Sequence, residues 1–146
     1  MKKLRVLFVC VHNSARSQMA EAFLNDLAGE EFEAESAGME QGVINPLVIE
    51  VMKEIGYDLS NNKTKGVYDF FKQGKSYHYV ISVCDEANAQ RCPTFPGLTK
   101  RISWSFEDPA SFSGTDEEKL EKTRLVRDNI KVAVESFIRT YNQTKF

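Results

Sequence analysis

Short apolar runs alternate with amphipathic segments along the first part of the chain. Leu4 to Val9 is an apolar, β-favouring run, which predicts a strand buried on both faces. A small polar stretch follows, and apolar residues then recur at helical spacing until Gly29, a residue suited to end a helix. Phe32 to Ser36 is typical of a short second strand, ending at Ala37-Gly38. The pattern predicts strand, tight loop, helix and strand.

A second helical region is predicted between this strand and the next. Asn45-Pro46 indicates a helix start, with Asn as the cap and Pro in the first turn, and Gly56 closes the helix. Residues 57–66 are polar and loop-like. Val67 to Phe71 predicts a short helix, and Tyr77 to Val83 predicts a third strand.

A long loop and a final helix complete the pattern. Residues 85–100 carry two prolines and a glycine and predict a loop of a length that is often functional. Arg101 to Trp104 predicts a short fourth strand, and Thr115 with Glu118 predicts the capping box of the last helix. Strands that alternate with helices indicate a Rossmann-like α/β fold with a mostly parallel sheet.

Composition narrows the class of protein. The 146 residues suit a single domain over residues 1–146, and a formal net charge of -2 gives no reason to expect nucleic acid or a membrane surface as partner. The apolar run near the N-terminus is too short for a signal peptide, and no later stretch could span a bilayer, so we expect a cytoplasmic protein. In a reducing compartment, its three cysteines favour nucleophilic or redox roles over a disulfide scaffold.

Four chemically informative residues come just after predicted strands. They are Cys10, Gly38, Cys84 and Asp108. Ligands of parallel sheets bind beyond the carboxyl ends of the strands. We therefore expect these residues to converge on one edge of the sheet.

The central motif is a loop between the first strand and the first helix, in which a cysteine and an arginine bracket five residues. It consists of Cys10, Val11, His12, Asn13, Ser14, Ala15, Arg16 and Ser17. Such a loop can turn its backbone N–H groups inward as a nest for an anion, next to the positive end of the helix dipole. Arg16 can grip two oxygens of a phosphate-like group.

The same donors can stabilise a thiolate, which makes Cys10 a candidate nucleophile. Ser17 can donate to the Cys10 sulfur, and Asn13 can hold the loop in shape through bonds to the backbone. The alternative is an ordinary buried cysteine at a strand end followed by a surface arginine. For His12 we favour an ordinary loop histidine.

The segment Cys10 to Glu21, CVHNSARSQMAE, resembles the active-site loop of the low-molecular-weight protein tyrosine phosphatases and of the arsenate reductases built on their fold. The similarity continues in order over nearly the whole chain, through Glu35-Ser36-Ala37-Gly38, Asn45-Pro46, Met52 to Gly56 and Trp104 to Ala110. It implies a four-stranded parallel sheet flanked by helices, in three α/β/α layers. It also implies that Asp108, before Pro109, is the general acid for the leaving oxygen, with a plain Asp-Pro turn as the alternative.

The two activities of this family differ in their need for further thiols. A phosphatase hydrolyses a cysteinyl-phosphate with water, whereas a reductase must supply two electrons. Cys84 and Cys92, eight positions apart, match the thiol pair of the thioredoxin-using branch, although those relatives have one residue fewer between them. The resemblance implies a relay in which Cys84 attacks the Cys10 arseno adduct and Cys92 then attacks Cys84. Ordinary buried cysteines, or a zinc site with His12 or His78, are the alternatives.

Two further comparisons with the family bear on the ligand. Ala110 stands where phosphatases typically carry an aromatic residue for phosphotyrosine, which favours an arsenate or phosphate oxyanion over an aryl phosphate. Some related reductases bind potassium through residues matching Asn13, Glu21 and Ser36 plus an acid, but Lys65 stands in place of the acid. We therefore expect no bound cofactor or metal.

Thioredoxin is the expected external reductant, with glutaredoxin or a small thiol as alternatives. A phosphatase and, behind it, an anion-binding module without chemistry remain the alternative functions.

Overall fold

The computed structural model describes residues 3–40, 42–84, 92–97 and 99–143. Its strands are β1 (Leu4–Cys10), β2 (Phe32–Gly38), β3 (Tyr79–Ser82) and β4 (Lys100–Ser103). Its helices are α1 (Arg16–Ala28), α2 (Pro46–Lys53), α3 (Val67–Lys72) and α4 (Asp116–Gln143), with a short 3-10 helix over Pro109–Ser111.

The four strands form one parallel sheet in the order β2-β1-β3-β4. The first connection runs from β1 to β2 and the next returns across β1 to β3. Because parallel connections are right-handed, this reversal places α1 and α3 on opposite faces. The expected four-stranded parallel sheet with flanking helices is confirmed.

The central strand β1 forms the middle of the core. Val6, Leu7, Phe8 and Val9 are fully buried, as the apolar run predicted. Helix α1 packs against α4, and on α4 the ring of Phe137 contacts both Phe32 of β2 and Tyr79 of β3.

The predicted helix ends are largely confirmed. The Asn45 side chain accepts a hydrogen bond from the Leu47 N–H at 2.9 Å and caps α2. Thr115 and Glu118 form the predicted reciprocal capping box of α4, with N–H to side-chain oxygen distances of 3.2 and 3.3 Å. Helix α2 ends at Lys53, and a turn leads from there to Gly56, whose φ is +94°.

Strands β1, β3 and β4 differ from the prediction at their ends. β1 continues one residue past Val9, because Cys10 still pairs with Gly38, and β2 ends at Gly38 as predicted. β3 is shorter than Tyr77 to Val83, since Tyr77 lies outside the ladder and donates its hydroxyl to Glu35. β4 starts and ends one residue earlier than Arg101 to Trp104.

The predicted loop over residues 85–100 falls partly on residues 85–91 and 98, which lie outside the described residues; residues 92–97 contain no helix or strand. Among the described helices, none combines the length and apolar character needed to cross a membrane.

Candidate active site

The Cys10–Ser17 loop turns sharply between the end of β1 and the start of α1. Asn13 adopts a left-handed backbone conformation with φ of +56°, unusual for a residue other than glycine. Gly38, at the end of β2, lies directly against the loop. A Cβ at Gly38 would lie 2.6 Å from the Asn13 nitrogen, so only glycine fits this position.

The backbone of the loop is arranged for binding an anion. Carbonyl oxygens point outward, because those of Cys10, Val11 and Ser14 accept backbone hydrogen bonds from residues 39, 40 and 45 at 2.7–3.1 Å. In the part of the chain that the structure describes, the N–H groups of residues 11–16 donate to no other group. Unpaired backbone N–H groups of this kind require an acceptor, and an oxyanion supplies several.

The Cys10 thiol is held by a short chain of hydrogen bonds. Its sulfur lies 2.8 Å from the Ser17 hydroxyl, and Asn13 Nδ2 donates to the same hydroxyl oxygen at 2.8 Å. All three side chains are buried. Because the Ser17 oxygen accepts a hydrogen bond from Asn13, the Ser17 hydroxyl proton can point at the Cys10 sulfur. A hydrogen bond from this proton can stabilise a thiolate.

Arg16, near the end of the loop, contacts the segment that contains Phe106 and Asp108. Its Nη1 donates to the Phe106 carbonyl at 3.1 Å, and its Nη2 lies 3.5 Å from Asp108 Oδ2. The Arg16 side chain is only 7% exposed, and its buried Nε has no hydrogen-bond partner among the described residues. A buried guanidinium N–H without an acceptor is costly, so this donor also favours an oxyanion in the loop.

Asp108 is positioned beside the loop by the 3-10 helix that follows it. Its Oδ1 accepts from the Ala110 N–H at 3.0 Å, while its Oδ2 faces Arg16. The Asp108 side chain is 37% exposed, so it can exchange protons with solvent. Ala110 is exposed and presents no aromatic ring there.

The other two thiols lie near this edge of the sheet. Val9 of β1 is paired with Ser82 of β3, so Cys84 leaves β3 at the strand end adjacent to Cys10. All three cysteines are buried, and none of them forms a disulfide. Burial raises the pKa of the Cys92 thiol to about 11; nearby Arg101 opposes this shift, and nearby Cys84 adds to it. Cys84 therefore lies within the range of electrostatic interaction with Cys92.

The remaining loop residues have more ordinary positions. The His12 side chain is exposed at the rim of the loop, whereas Ala15 is buried and Val11 and Ser14 are partly buried. No cluster of three or more metal-ligating side chains exists among the described residues. The zinc alternative thus finds no supporting geometry in those residues.

Residues 62–65 support the loop from behind, which the sequence patterns did not indicate. The Lys65 N–H donates to Asn13 Oδ1 at 2.9 Å, and fully buried Gln18 bonds both Asn13 and the Lys63 carbonyl. The sequence signal that could have indicated this support is Gln18, a glutamine among the first residues of an amphipathic helix. The burial of this glutamine could have been tested.

Lys65 also neutralises a carboxylate behind the loop. Its Nζ lies 3.1 Å from Glu21 Oε1, an oxygen that also accepts from the Ser36 hydroxyl at 2.9 Å. The ammonium group of Lys65 therefore lies beside the Glu21 carboxylate. That no potassium ion is needed there stays a prediction.

Comparisons with known proteins agree with this geometry. The family model described as low molecular weight phosphotyrosine protein phosphatase matches residues 5–145. An arsenate reductase of Halalkalibacterium halodurans is 39% identical over 140 residues, which cover 96% of this chain and 99% of the relative.

Solved structures give the same result. An arsenate reductase in the phosphate-binding state aligns with a TM-score of 0.74 at 32% identity, over 94% of this chain and 98% of its own. The thioredoxin-dependent arsenate reductase of Corynebacterium glutamicum aligns with a TM-score of 0.69 at 28% identity, over 97% of this chain and 63% of its own.

Proposed function

The chain belongs to the low molecular weight phosphotyrosine protein phosphatase family, and on that premise we propose that it reduces arsenate to arsenite. The observation that carries this proposal is the position of the second thiol. Cys84 leaves β3 beside the strand end that bears Cys10, and the buried Cys92 lies within the range of electrostatic interaction with Cys84. A hydrolase of this family needs one thiol, whereas a two-electron reduction needs a further pair.

The first step is the formation of an adduct on Cys10. The loop N–H groups and Arg16 bind arsenate, and the Cys10 thiolate attacks the arsenic atom. Asp108 in its protonated form gives its proton to the departing oxygen, which leaves as water. The position of Asp108 beside Arg16 supports this role, because an anion bound by Arg16 would lie next to the Asp108 carboxyl.

The second step transfers the electrons. The Cys84 thiolate attacks the Cys10 sulfur, a Cys10–Cys84 disulfide forms, and the electron pair of the sulfur–arsenic bond leaves with arsenic as arsenite. Arsenic is reduced by two electrons and the two thiols are oxidised. Cys92 then attacks Cys84, which releases the Cys10 thiolate and leaves a Cys84–Cys92 disulfide.

An external dithiol must return the enzyme to its reduced state. We assign this role to thioredoxin, since exchange with a protein dithiol regenerates both buried cysteines in one cycle. The thioredoxin dependence of the similar Corynebacterium glutamicum enzyme supports the assignment.

Aryl phosphate hydrolysis is the second candidate activity, because the loop, Arg16 and Asp108 would also suit a phosphoryl group. The exposed Ala110 provides no wall for a phosphotyrosine ring, so we expect this activity to be slow.

The test compares both reactions in one preparation. Reduced protein is incubated with arsenate, thioredoxin, thioredoxin reductase and NADPH, and arsenite and NADPH are measured beside p-nitrophenyl phosphate hydrolysis. We expect arsenate-dependent NADPH oxidation with one arsenite formed per NADPH. Cys10→Ser should abolish both reactions, because a serine hydroxyl does not ionise at neutral pH. Efficient hydrolysis without arsenite formation would instead identify a phosphatase.

A further inference from the structure

Gln18 is a fully buried amide directly behind the active-site loop. It lies two residues after Arg16 in α1 and is 0% exposed. Its Nε2 donates to Asn13 Oδ1 at 3.0 Å and to the Lys63 carbonyl at 3.2 Å, and its Oε1 accepts from Asn62 Nδ2 at 3.2 Å. A buried side chain with three hydrogen bonds to the loop support has a fixed orientation.

The orientation of Gln18 determines the orientation of Asn13. An amide can face either way, and its neighbours decide which end donates. The Lys63 carbonyl can only accept, so the Nε2 end of Gln18 must face it. The same nitrogen then faces Asn13 Oδ1, which also accepts the Lys65 N–H. Two donors thus hold the Asn13 oxygen on one side.

The orientation of Asn13 in turn directs the Ser17 proton. With its oxygen held from behind, Asn13 turns Nδ2 towards Ser17 and donates to the hydroxyl. The Ser17 hydroxyl then has Cys10 as the acceptor for its own proton, at 2.8 Å. If the Asn13 amide were reversed, Ser17 would donate to Asn13 Oδ1 and the thiolate would lose this donor.

We propose that Gln18 is a positioning residue for the Cys10 nucleophile. The backbone groups of residues 63–65 orient Gln18 and Asn13, and Asn13 in turn orients the Ser17 hydroxyl so that it donates to the Cys10 sulfur. The inference rests on the proposed function only in taking Cys10 as the nucleophile. It concerns the reactivity of the thiolate and leaves the anion contacts of Arg16 and the loop N–H groups unchanged.

Two core variants test the proposal, Gln18→Glu and Gln18→Met. Glutamate presents an acceptor to Asn13 Oδ1 and favours the reversed amide, whereas methionine removes the donor but leaves the Lys65 N–H in place. The pH dependence of Cys10 alkylation by iodoacetamide is read by mass mapping of the Cys10 peptide. We expect its midpoint to rise by about one pH unit in Gln18→Glu and by less in Gln18→Met, with a loss of roughly up to tenfold in rate at pH 7.

Steady-state kinetics separate positioning from simple damage. With p-nitrophenyl phosphate, kcat should fall in both variants, while inhibition by inorganic phosphate should stay within about twofold because the anion cradle is intact. Gln73→Glu, the same change at an exposed position, is the matched control and should behave as wild type.

A surface pair decides the matter if the core variants fail to fold. Asn62→Asp places a carboxylate against Gln18 Oε1, whereas Asn61→Asp adds the same charge at the adjacent exposed residue. Both residues are exposed, so both variants should fold. We expect a higher alkylation midpoint in Asn62→Asp than in Asn61→Asp.

Equal midpoints in that surface pair, or an unchanged midpoint in folded Gln18→Met and Gln18→Glu, would overturn the role of Gln18. The alkylation readout involves no arsenate, so a wild-type protein that does not reduce arsenate would contradict the proposed function and leave this test valid.

Discussion

Arg16 and Asp108 form a pair whose two members differ in exposure. Arg16 is almost completely buried, and its guanidinium is anchored on the Phe106 carbonyl. Asp108 is more than a third exposed and held by the Ala110 N–H. Buried arginine gives a fixed anion contact, while a solvent-accessible carboxyl can be reprotonated after each turnover.

Asp108→Asn should slow the covalent step by roughly 10²–10⁴-fold, because an amide oxygen can still accept from the Ala110 N–H but the amide has no acidic proton for the leaving oxygen. Phosphate affinity should change little. Single-turnover p-nitrophenol release measures the step, and Glu107→Gln, which changes the neighbouring exposed carboxylate, is the control. An unchanged single-turnover rate in Asp108→Asn would show that Asp108 is only a turn residue.

Cys92 is an unreactive thiol while it stays buried. Because burial raises its pKa from 9.0 to about 11, its thiolate fraction at pH 8 should be roughly a hundredfold below that of an unperturbed thiol. We expect iodoacetamide at pH 8 to modify Cys92 of the reduced protein far more slowly than free cysteine. Modification of Cys92 as fast as free cysteine would contradict its burial.

The same shift predicts how stability depends on pH. The pKa of Cys92 is higher in the folded than in the unfolded protein, so the native state binds the thiol proton more tightly. The contribution of this proton to the free energy of unfolding is therefore fully present below about pH 9 and is lost as the pH rises towards about 11. The free energy of unfolding in urea should therefore decrease over this range. Cys92→Ser should lack that part of the decrease, whereas the part due to Tyr57, with a pKa raised by burial to about 12, should remain.

At the scale of elements, the site depends on a close contact between β2 and the loop that joins β1 to α1. The end of β2 approaches the loop so closely that a Cβ on Gly38 would lie 2.7 Å from the His12 carbonyl carbon and 2.8 Å from the Val11 oxygen. These are backbone atoms, which cannot move without deforming the cradle.

Gly38→Ala should thus abolish phosphate binding and activity and cost about 1–3 kcal/mol in stability. Isothermal titration with phosphate and urea unfolding measure the two effects. Gly74→Ala provides the opposite case: its φ of +73° disfavours alanine, but no atom lies within 4 Å of the added Cβ, so stability should fall while phosphate binding is retained. Wild-type phosphate affinity in Gly38→Ala would refute the close-contact explanation.

At the scale of the whole molecule, the proposed reaction joins three distant parts of the chain. Cys10 ends β1, Cys84 follows β3, and Cys92 precedes the segment anchored by Phe95, whose ring packs on Tyr77 and Phe71. Because Cys84 and Cys92 are buried, the thiol pair must become accessible before an external dithiol can reduce it.

Cys92→Ser should complete about one turnover and then accumulate a Cys10–Cys84 disulfide, visible by mass mapping without reductant. Cys84→Ser should instead stop at the Cys10 adduct without releasing arsenite in the normal way. Both variants should retain slow aryl phosphate hydrolysis, which needs only Cys10, Arg16 and Asp108. Full thioredoxin-coupled turnover in either variant would rule out the relay.

The sequence by itself determined the order of the elements and the position of the anion loop. Local signals suffice for these features: apolar runs define strands, Asn45 and Thr115 define helix starts, and the Cys10–Ser17 motif is contiguous. The predicted ends of β1, β3 and β4 differ from the observed ends by one or two residues, because a strand ends where its partner ends and the partner is remote in sequence.

Only the tertiary structure decided which groups surround the loop. The contact of Gly38 with Asn13, the bond from Arg16 to the Phe106 carbonyl and the support of Asn13 by Gln18 and Lys65 join residues that are 25 to 90 positions apart or hidden on a helix face. Backbone carbonyls and N–H groups are identical at every residue, so no sequence pattern marks the ones that a fold will use. The candidate nucleophile is therefore evident from its motif, whereas the direction of the hydrogen bonds around its sulfur arises from packing.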